Sequence, residues 1–580
     1  DREVELLKLQ ETFRSPWSAR RGGEIFGGHA RQASHTPATG GNASAAPLLG
    51  GGSCSYSPIT LDQPPSTTQA KWFPHGCVAS PHYLASAAGL AVLAEGGNAL
   101  DAAIATNLTL GVVTPYMCGY GGDLFAIVWT DHPYGYNGSG RAPAAATPER
   151  IREAGGGTMP TFGPLTVTVP GAVEAWFALL ERFGSRTFGD LSQTALRYAR
   201  EGFVVSPQAM SSIAVARERF RGYEEWQKVY GGAVEGQNLR QPDLARTIEV
   251  LCNEGPDAFY RGSIADGIVD HLQKLGGVMA NDDLDGHRGE WAEPLESTYR
   301  GVEVLEMPPN SSGVTVLEAL GIVEESGALP PDGPERQHLL IEAAKLALAD
   351  RGAYLTDPDA MRIAAADLIS ADWVRRRFES IDRAHASMPA LARSRPGGTA
   401  YMCAADSNGM LVSLIQSNWM GFGSGVTVPR WGVNLHNRGS YFSLDPESPN
   451  IIAPRKRTLH TLVPAMARRD GEPWLVFGTM GGDGQVQTHL QVLTRKVDDG
   501  LDVQEAISAP RWVVSPTDWS VTAESRYNQA TLNGLRERGH VLSVTDPYDA
   551  LMGHAHAIEV ASSGFFAATD PRAEGAALGL

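Results

Sequence analysis

The sequence predicts a mixed α/β protein, helical through its middle and strand-rich towards its C-terminal end. Three observations carry this expectation. Two Ala- and Leu-rich runs follow helix-start signals near residues 80 and 98, and the pattern from residue 179 to about 379 is mainly helical. After Pro396 the character changes to short apolar strands divided by tight turns.

Residues 1 to about 70 stand apart. They contain Gly40-Gly-Asn-Ala-Ser-Ala-Ala46, Gly50-Gly-Gly-Ser53 and Pro64-Pro65, and so read as a flexible arm that buries too little to fold alone. The globular body is expected from near Gly76. Ser80-Pro81 suits a helix start, with Ser as cap and Pro in the first turn. The apolar run 84–94 stops at Gly96-Gly97, and Asn98 caps a second helix from 99 to about 110. These small-residue helices are expected to pack closely as a pair.

A glycine-rich loop, Cys118-Gly-Tyr-Gly-Gly122, precedes a strand over 124–129. The helical middle has breaks at Pro207, Pro330-Pro331 and Pro334. Further on, runs 402–405 and 410–415 flank Asp406-Ser-Asn-Gly409, an Asn-Gly hairpin signal. Runs 462–467 and 474–477 flank Asp470-Gly471 in the same way. No internal repeat of about 20–50 residues is visible.

The totals exclude several classes. With 48 Lys+Arg against 65 Asp+Glu the formal charge is −17, which argues against nucleic acid and anionic membranes as partners. Five cysteines (Cys54, Cys77, Cys118, Cys252, Cys403) are too scattered for a disulfide framework and read as thiols in a reducing compartment. There is no CxxC and no HExxH, so neither a metal site nor a cofactor is expected. No run of about 18 apolar residues is long enough to span a bilayer. The charged stretch from Asp1 to Lys8 leads into no apolar segment, so no secretory signal is visible and a cytoplasmic enzyme is the expectation.

The chemistry centres on Arg395-Pro-Gly-Gly-Thr-Ala-Tyr401. Two glycines ahead of a threonine that opens a strand allow backbone conformations closed to other residues. A strained peptide bond beside a hydroxyl is what an N-to-O acyl shift needs. Cutting Gly398–Thr399 would give Thr399 a free α-amino group. Such a group titrates at about 7.7–8.0 and serves as a base for the adjacent hydroxyl. If Asn408-Gly409 closes the hairpin, register counting puts Thr399 opposite Ser417 or Asn418, where a hydroxyl or amide would polarise it. The loop Gly478-Thr-Met-Gly-Gly-Asp-Gly484 runs from a strand into a helix. Its backbone N–H groups suit a developing oxyanion, and no Gly-Lys-Ser/Thr follows to make it a phosphate loop.

The chain resembles the gamma-glutamyltransferase family of N-terminal-nucleophile hydrolases over roughly residues 76 to 575. The resemblance rests on several motifs in order: Gly76-Cys-Val-Ala-Ser-Pro-His-Tyr-Leu-Ala-Ser86 and Glu95-Gly-Gly-Asn-Ala-Leu-Asp-Ala-Ala-Ile-Ala105. Gly119-Tyr-Gly-Gly-Asp-Leu-Phe125, the Gly-Gly-Thr at the cut and Ala506-Ile-Ser-Ala-Pro-Arg-Trp512 complete it. It implies a four-layer αββα sandwich built by both fragments, 71–398 and 399–580. It also implies Thr399 as nucleophile, Ser417 as a supporting hydroxyl and Gly481-Gly482 as oxyanion donors. The partners implied are a small amide or acyl substrate and the chain's own cleaved fragment.

The glutamate-gripping positions depart from the family. Its Arg-Glu-x-Ala-Pro arginine falls at Ser139, in Ser139-Gly-Arg-Ala-Pro143, with Arg141 two places later. The aspartate that accepts the α-ammonium is replaced by Tyr441, and a glutamine three residues upstream by Arg438. A serine pair becomes His460-Thr461, and an asparagine beyond the hairpin becomes Trp419. A pocket that loses a carboxylate and gains an arginine is expected to favour an anionic acyl group over γ-glutamyl, with Arg438 as its partner and Arg141, His460 or Thr461 assisting. The alternatives are a relative that hydrolyses a carbon–carbon bond beside a carbonyl, and a catalytically idle metabolite-binding relative.

Overall fold

The computed structural model describes residues 70–391 and 397–580; the expected arm lies outside the described residues except at Ala70. Residues from Thr68 to Leu580 form one compact unit. Two seven-stranded sheets make its centre. The first runs in the order Ala576–Gly579, Gly76–Ser80, Gly398–Asp406, Leu411–Trp419, Asp123–Trp129, Pro133–Asn137 and Glu290–Ala292. The second runs Lys71–Phe73, Gly564–Thr569, Ala555–Ala561, Glu472–Thr479, Ala465–Arg469, Val302–Glu306 and Leu295–Tyr299.

The alternation of side chains along the strands sorts the layers. In Gly398–Asp406, Tyr401, Cys403 and Ala405 pack against Met466, Val476 and Ile558 of the second sheet. Their neighbours Ala400, Met402 and Ala404 point the other way, onto Leu100, Ile104 and Leu108 of the helix Ala99–Val113. In the second sheet Ala465, Ala467, Leu475 and Phe477 turn outward onto the helices Gly313–Glu324, Pro334–Tyr354 and Gly484–Asp498. The order is helix, sheet, sheet, helix, the expected αββα sandwich. The central strands are buried on both faces, which is why they read as unbroken apolar runs.

The helix pair forms as expected in the second member and differently in the first. Asn98 caps Ala99–Val113 with a capping box closed by Asp101. The first helix, however, starts at Tyr83 with His82 as its cap, its Nδ1 accepting from the Leu84 N–H. Ser80 is not the cap: it is the last residue of Gly76–Ser80, paired with Ala576, and its hydroxyl lies 2.7 Å from that of Ser86. Sheet pairing has claimed the backbone that a cap would need.

Two further expectations change. The middle is interrupted by the strands Glu290–Ala292, Leu295–Tyr299 and Val302–Glu306, which pair at the far ends of the two sheets. These strands are short, and Glu290–Ala292 and Leu295–Tyr299 are partly exposed, so their pattern is weak beside long helical neighbours. The body also starts before Gly76, because Lys71–Phe73 pairs with Gly564–Thr569. Both expected hairpins are present, as Gly398–Asp406 with Leu411–Trp419 and Ala465–Arg469 with Glu472–Thr479. Among the described residues no helix is long and apolar enough to cross a membrane.

Candidate active site

The hairpin register sets the centre of the site. Ala400 pairs with Gln416, a register shift follows, and Gly398 pairs with Trp419. Thr399 therefore meets Ser417, at 3.2 Å from Oγ1 to Oγ. The Ser417 hydroxyl donates to the Gly398 carbonyl at 2.7 Å, and its oxygen also accepts the Trp419 N–H at 2.7 Å. All three partners are fixed by one strand pair, so this geometry follows from the sheet and not from a loop. Thr399 and Ser417 are both fully buried.

Trp419 is held above this centre. Its φ of 75° is left-handed, its indole N–H donates to Ser440 Oγ at 3.1 Å, and its ring is 0% exposed. A Cβ on Gly397 would approach that ring to 2.7 Å, so only glycine fits where the chain passes over the indole into Thr399. On the other side of the site, Arg438 sits 4.3 Å from the Trp419 ring centroid, a cation–π stack. Arg438 Nη1 donates to Thr461 Oγ1 at 3.4 Å, and Nε lies 3.6 Å from Asp123 Oδ2.

Asp123 links these groups. Its Oδ2 accepts from His460 Nε2 at 2.9 Å and lies 3.1 Å from His436 Nδ1. Burial would raise the Asp123 carboxyl, but the charge and hydrogen bond of His436 and the hydrogen bond of His460 outweigh it and hold it well below the usual range. Burial, helped by the Arg438 charge, pushes His460 down to about 3 against the pull of Asp123. His460 is thus neutral, donating to Asp123 through Nε2 and accepting the Leu462 N–H at Nδ1. Burial lowers Arg438 to about 10, which leaves it charged at neutral pH.

The glycine loop is tied in through the next residue. Gly481 and Gly482 have φ of 139° and 57°, conformations that L side chains avoid, between the strand Glu472–Thr479 and the helix Gly484–Asp498. Asp483 follows them. Its Oδ1 pairs with Arg351 Nη1 at 2.6 Å and accepts from the Tyr441 hydroxyl at 2.8 Å. Tyr441 in turn stacks edge-on against Trp419 at 5.2 Å. A continuous chain of contacts thus runs from Gly481-Gly482 through Asp483, Tyr441 and Trp419 to Ser417 and Thr399.

Seven of the residues singled out from sequence converge here: Thr399, Ser417, Trp419, Arg438, Tyr441, His460 and Thr461. Arg141 is occupied elsewhere, by Asp357 at 3.1 Å, Glu290 at 3.1 Å and the Arg455 carbonyl at 3.1 Å. Asp123, His436, Asp483 and Arg351 were not singled out. Asp123 and Asp483 stand inside motifs that are visible as glycine-rich loops, whereas Arg351 lies in the last turn of the helix Pro334–Tyr354 with no local signal. Apart from this site, His338, Glu342 and His540 bring ligand atoms within 4.8 Å of one another. Lys345 Nζ lies 2.9 Å from Glu342 and 3.5 Å from His540, so an ammonium already supplies the positive charge there.

The chain is similar to known proteins over most of its length. The sequence profile described as Gamma-glutamyltranspeptidase matches residues 85–580. The chain is 40% identical to the glutathione hydrolase-like YwrD proenzyme of Bacillus subtilis, across 87% of this chain and 98% of the relative. It is 36% identical to the oxamate amidohydrolase proenzyme of Klebsiella pneumoniae, across 87% and 98%. The crystal structure of cephalosporin acylase from Bacillus halodurans superposes with a TM-score of 0.86 at 36% identity, covering 90% of this chain and 99% of that one. The chain is an enzyme that belongs to the gamma-glutamyltranspeptidase family of N-terminal-nucleophile hydrolases.

Proposed function

We propose that this chain cuts itself between Gly398 and Thr399 and then hydrolyses a small amide whose acyl group carries a carboxylate. The single observation that supports this most is the Ser417 hydroxyl, which bridges the Gly398 carbonyl and Thr399 Oγ1. In the uncut chain Thr399 Oγ attacks the Gly398 carbonyl carbon, polarised by the Ser417 O–H. The C–N bond breaks as the nitrogen takes a proton, and water opens the resulting ester. The products are a Gly398 carboxylate and a free Thr399 with its own α-amino base. The two fragments, 71–398 with the arm and 399–580, remain together because each sheet contains strands from both sides of the cut.

Cutting also frees Gly397 from the Trp419 ring, uncovering the stack of Trp419 and Arg438. A donor amide then binds with its carboxylate against Arg438 and its carbonyl beside Thr399. Thr399 Oγ attacks, the N–H groups of Gly481-Gly482 take up the oxyanion, and the amine leaves with the proton held by the α-amino group. Water hydrolyses the acyl-enzyme. The position that would accept an α-ammonium holds Tyr441, whose hydroxyl is engaged by Asp483 and Arg351. Glutaryl, which is γ-glutamyl without its ammonium, matches this pocket. The relative named for oxamate, a substrate with a carboxylate beside its amide, supports the same direction.

Chromogenic donors decide it. Glutaryl-p-nitroanilide is expected to exceed γ-glutamyl-p-nitroanilide in kcat/KM by about tenfold or more, the effect of roughly 1.4 kcal/mol at one misplaced charge. A preference for the γ-glutamyl donor would overturn the specificity. Activity surviving in Thr399→Ala would overturn the nucleophile.

A further inference from the structure

We propose that Asp123 is the specificity-determining carboxylate of this enzyme, a positioning residue that gathers His436, His460 and Arg438 around one oxygen and thereby aims the Arg438 guanidinium at the carboxylate of the acyl donor. The inference rests on the reading of Arg438 as the partner of that carboxylate, and deepens it.

The backbone of Asp123 is fixed to the reaction centre. It opens the strand Asp123–Trp129 and pairs across to Ser417. Its side chain is 0% exposed, so every lone pair needs a donor from the protein. Oδ1 accepts the Gly140 N–H at 3.3 Å. Oδ2 faces groups from two separate segments: His436 Nδ1 at 3.1 Å and Arg438 Nε at 3.6 Å from one, His460 Nε2 at 2.9 Å from the other.

The second nitrogen of the His460 ring fixes its donor role. His460 Nδ1 accepts a backbone N–H, so Nε2 carries the proton that Asp123 receives. His436 Nε2 lies 2.9 Å from the Thr168 carbonyl and 3.1 Å from the Thr168 hydroxyl, and its Nδ1 faces the carboxylate. Both rings are thus pinned by what lies beyond them.

Three contacts orient the guanidinium plane. Trp419 covers its face, Asp123 lies off the Nε edge, and Nη1 reaches Thr461. Nε, which faces Asp123 as an ion pair at 3.6 Å, and Nη2 are both buried without a hydrogen-bond partner among the described residues. That leaves the terminal edge, Nη1 and Nη2, presented as a fork to an arriving carboxylate. Asparagine at position 123 would remove the charge and turn one acceptor into a donor among donors. The fork would lose its aim while Thr399, Ser417 and the glycine loop keep their own supports.

Steady-state kinetics on glutaryl- and butyryl-p-nitroanilide, the second lacking the carboxylate, test this with the matured enzyme. Asp123→Asn is expected to raise KM for the glutaryl donor about tenfold or more with a smaller change in kcat, and to lower the glutaryl-to-butyryl ratio of kcat/KM accordingly. An equal loss on both donors, or an unchanged ratio, overturns the proposal. Arg438→Met, assayed alongside, keeps the two readings apart. A ratio that collapses in Arg438→Met but not in Asp123→Asn removes the role of Asp123 and leaves the function standing. A ratio that moves in neither removes the function and this inference with it. Should Asp123→Asn give no soluble cleaved protein, His436→Leu removes one group facing the same oxygen and is judged by the same ratio, expected to fall about threefold or more.

Discussion

Ser417 Oγ stands 2.7 Å from the Gly398 carbonyl oxygen and 3.2 Å from Thr399 Oγ1, so one hydroxyl touches both the bond proposed to break and the group proposed to break it. The same oxygen accepts the Trp419 N–H, which fixes the direction of its own proton towards Gly398. Ser417→Ala removes this polarisation and should slow self-cleavage by about 10²-fold, the lower end for positioned acid–base groups. Ser417→Thr should cut at a rate near wild type. A denaturing gel time course of freshly purified protein reads both.

Gly397 offers a test of the approach to the cut. A methyl group there would meet the Trp419 ring at 2.7 and 2.9 Å, and that ring is pinned by Ser440 and Arg438. Gly397→Ala should therefore slow cleavage about tenfold or more, and Trp419→Ala in the same chain should restore part of the rate. The gel assay of the single and double variants checks it.

Asp483 joins the glycine loop to buried Arg351. Asp483→Asn leaves that guanidinium without its charge partner in a site where Arg351 is 1% exposed, which should cost about 3 kcal/mol. Urea unfolding measures the loss. Activity should fall further than stability alone accounts for, because the loop carrying Gly481-Gly482 loses its anchor to Tyr441.

Burial lowers several histidines: His287, His460 and His556 to about 3, His82 and His554 to about 4. Their folded values lie below the unfolded value of 6.5, so the unfolded chain binds more protons through that window. The stabilisation is present above pH 6.5 and is lost as pH falls, with a slope of up to about 1.4 kcal/mol per pH unit for each group. Thermal unfolding should give a Tm that drops steeply between pH 6.5 and 4. A flat Tm across that range would contradict the burial of these rings as neutral groups.

What was legible in the sequence follows from the range over which each signal acts. Thr399 and Ser417 lie on one hairpin whose turn, Asn408-Gly409, is local, so counting residues narrowed the partner to Ser417 or Asn418. The register shift beyond Ala400 selects Ser417. The glycine loop was visible because positive φ at Gly481 and Gly482 demands glycine. The Asp123 cluster was not, since His460 reaches it across 337 residues of chain and no periodicity encodes which buried polar groups meet. Arg141 shows the converse. It looked suited to the substrate by its place near a family motif, yet Asp357 and Glu290 hold it. The strands between 290 and 306 were hidden for a different reason: each has at most five residues, and the pattern of long helices around them is stronger.

N-terminal sequencing of the purified protein, together with its intact mass, reads whether Thr399 becomes a free N-terminus. Two chains are expected, the smaller covering residues 399–580 and beginning Thr-Ala-Tyr, and a single uncut chain for Thr399→Ala. A fully active protein that remains one chain, or a small fragment beginning at any other residue, would contradict it.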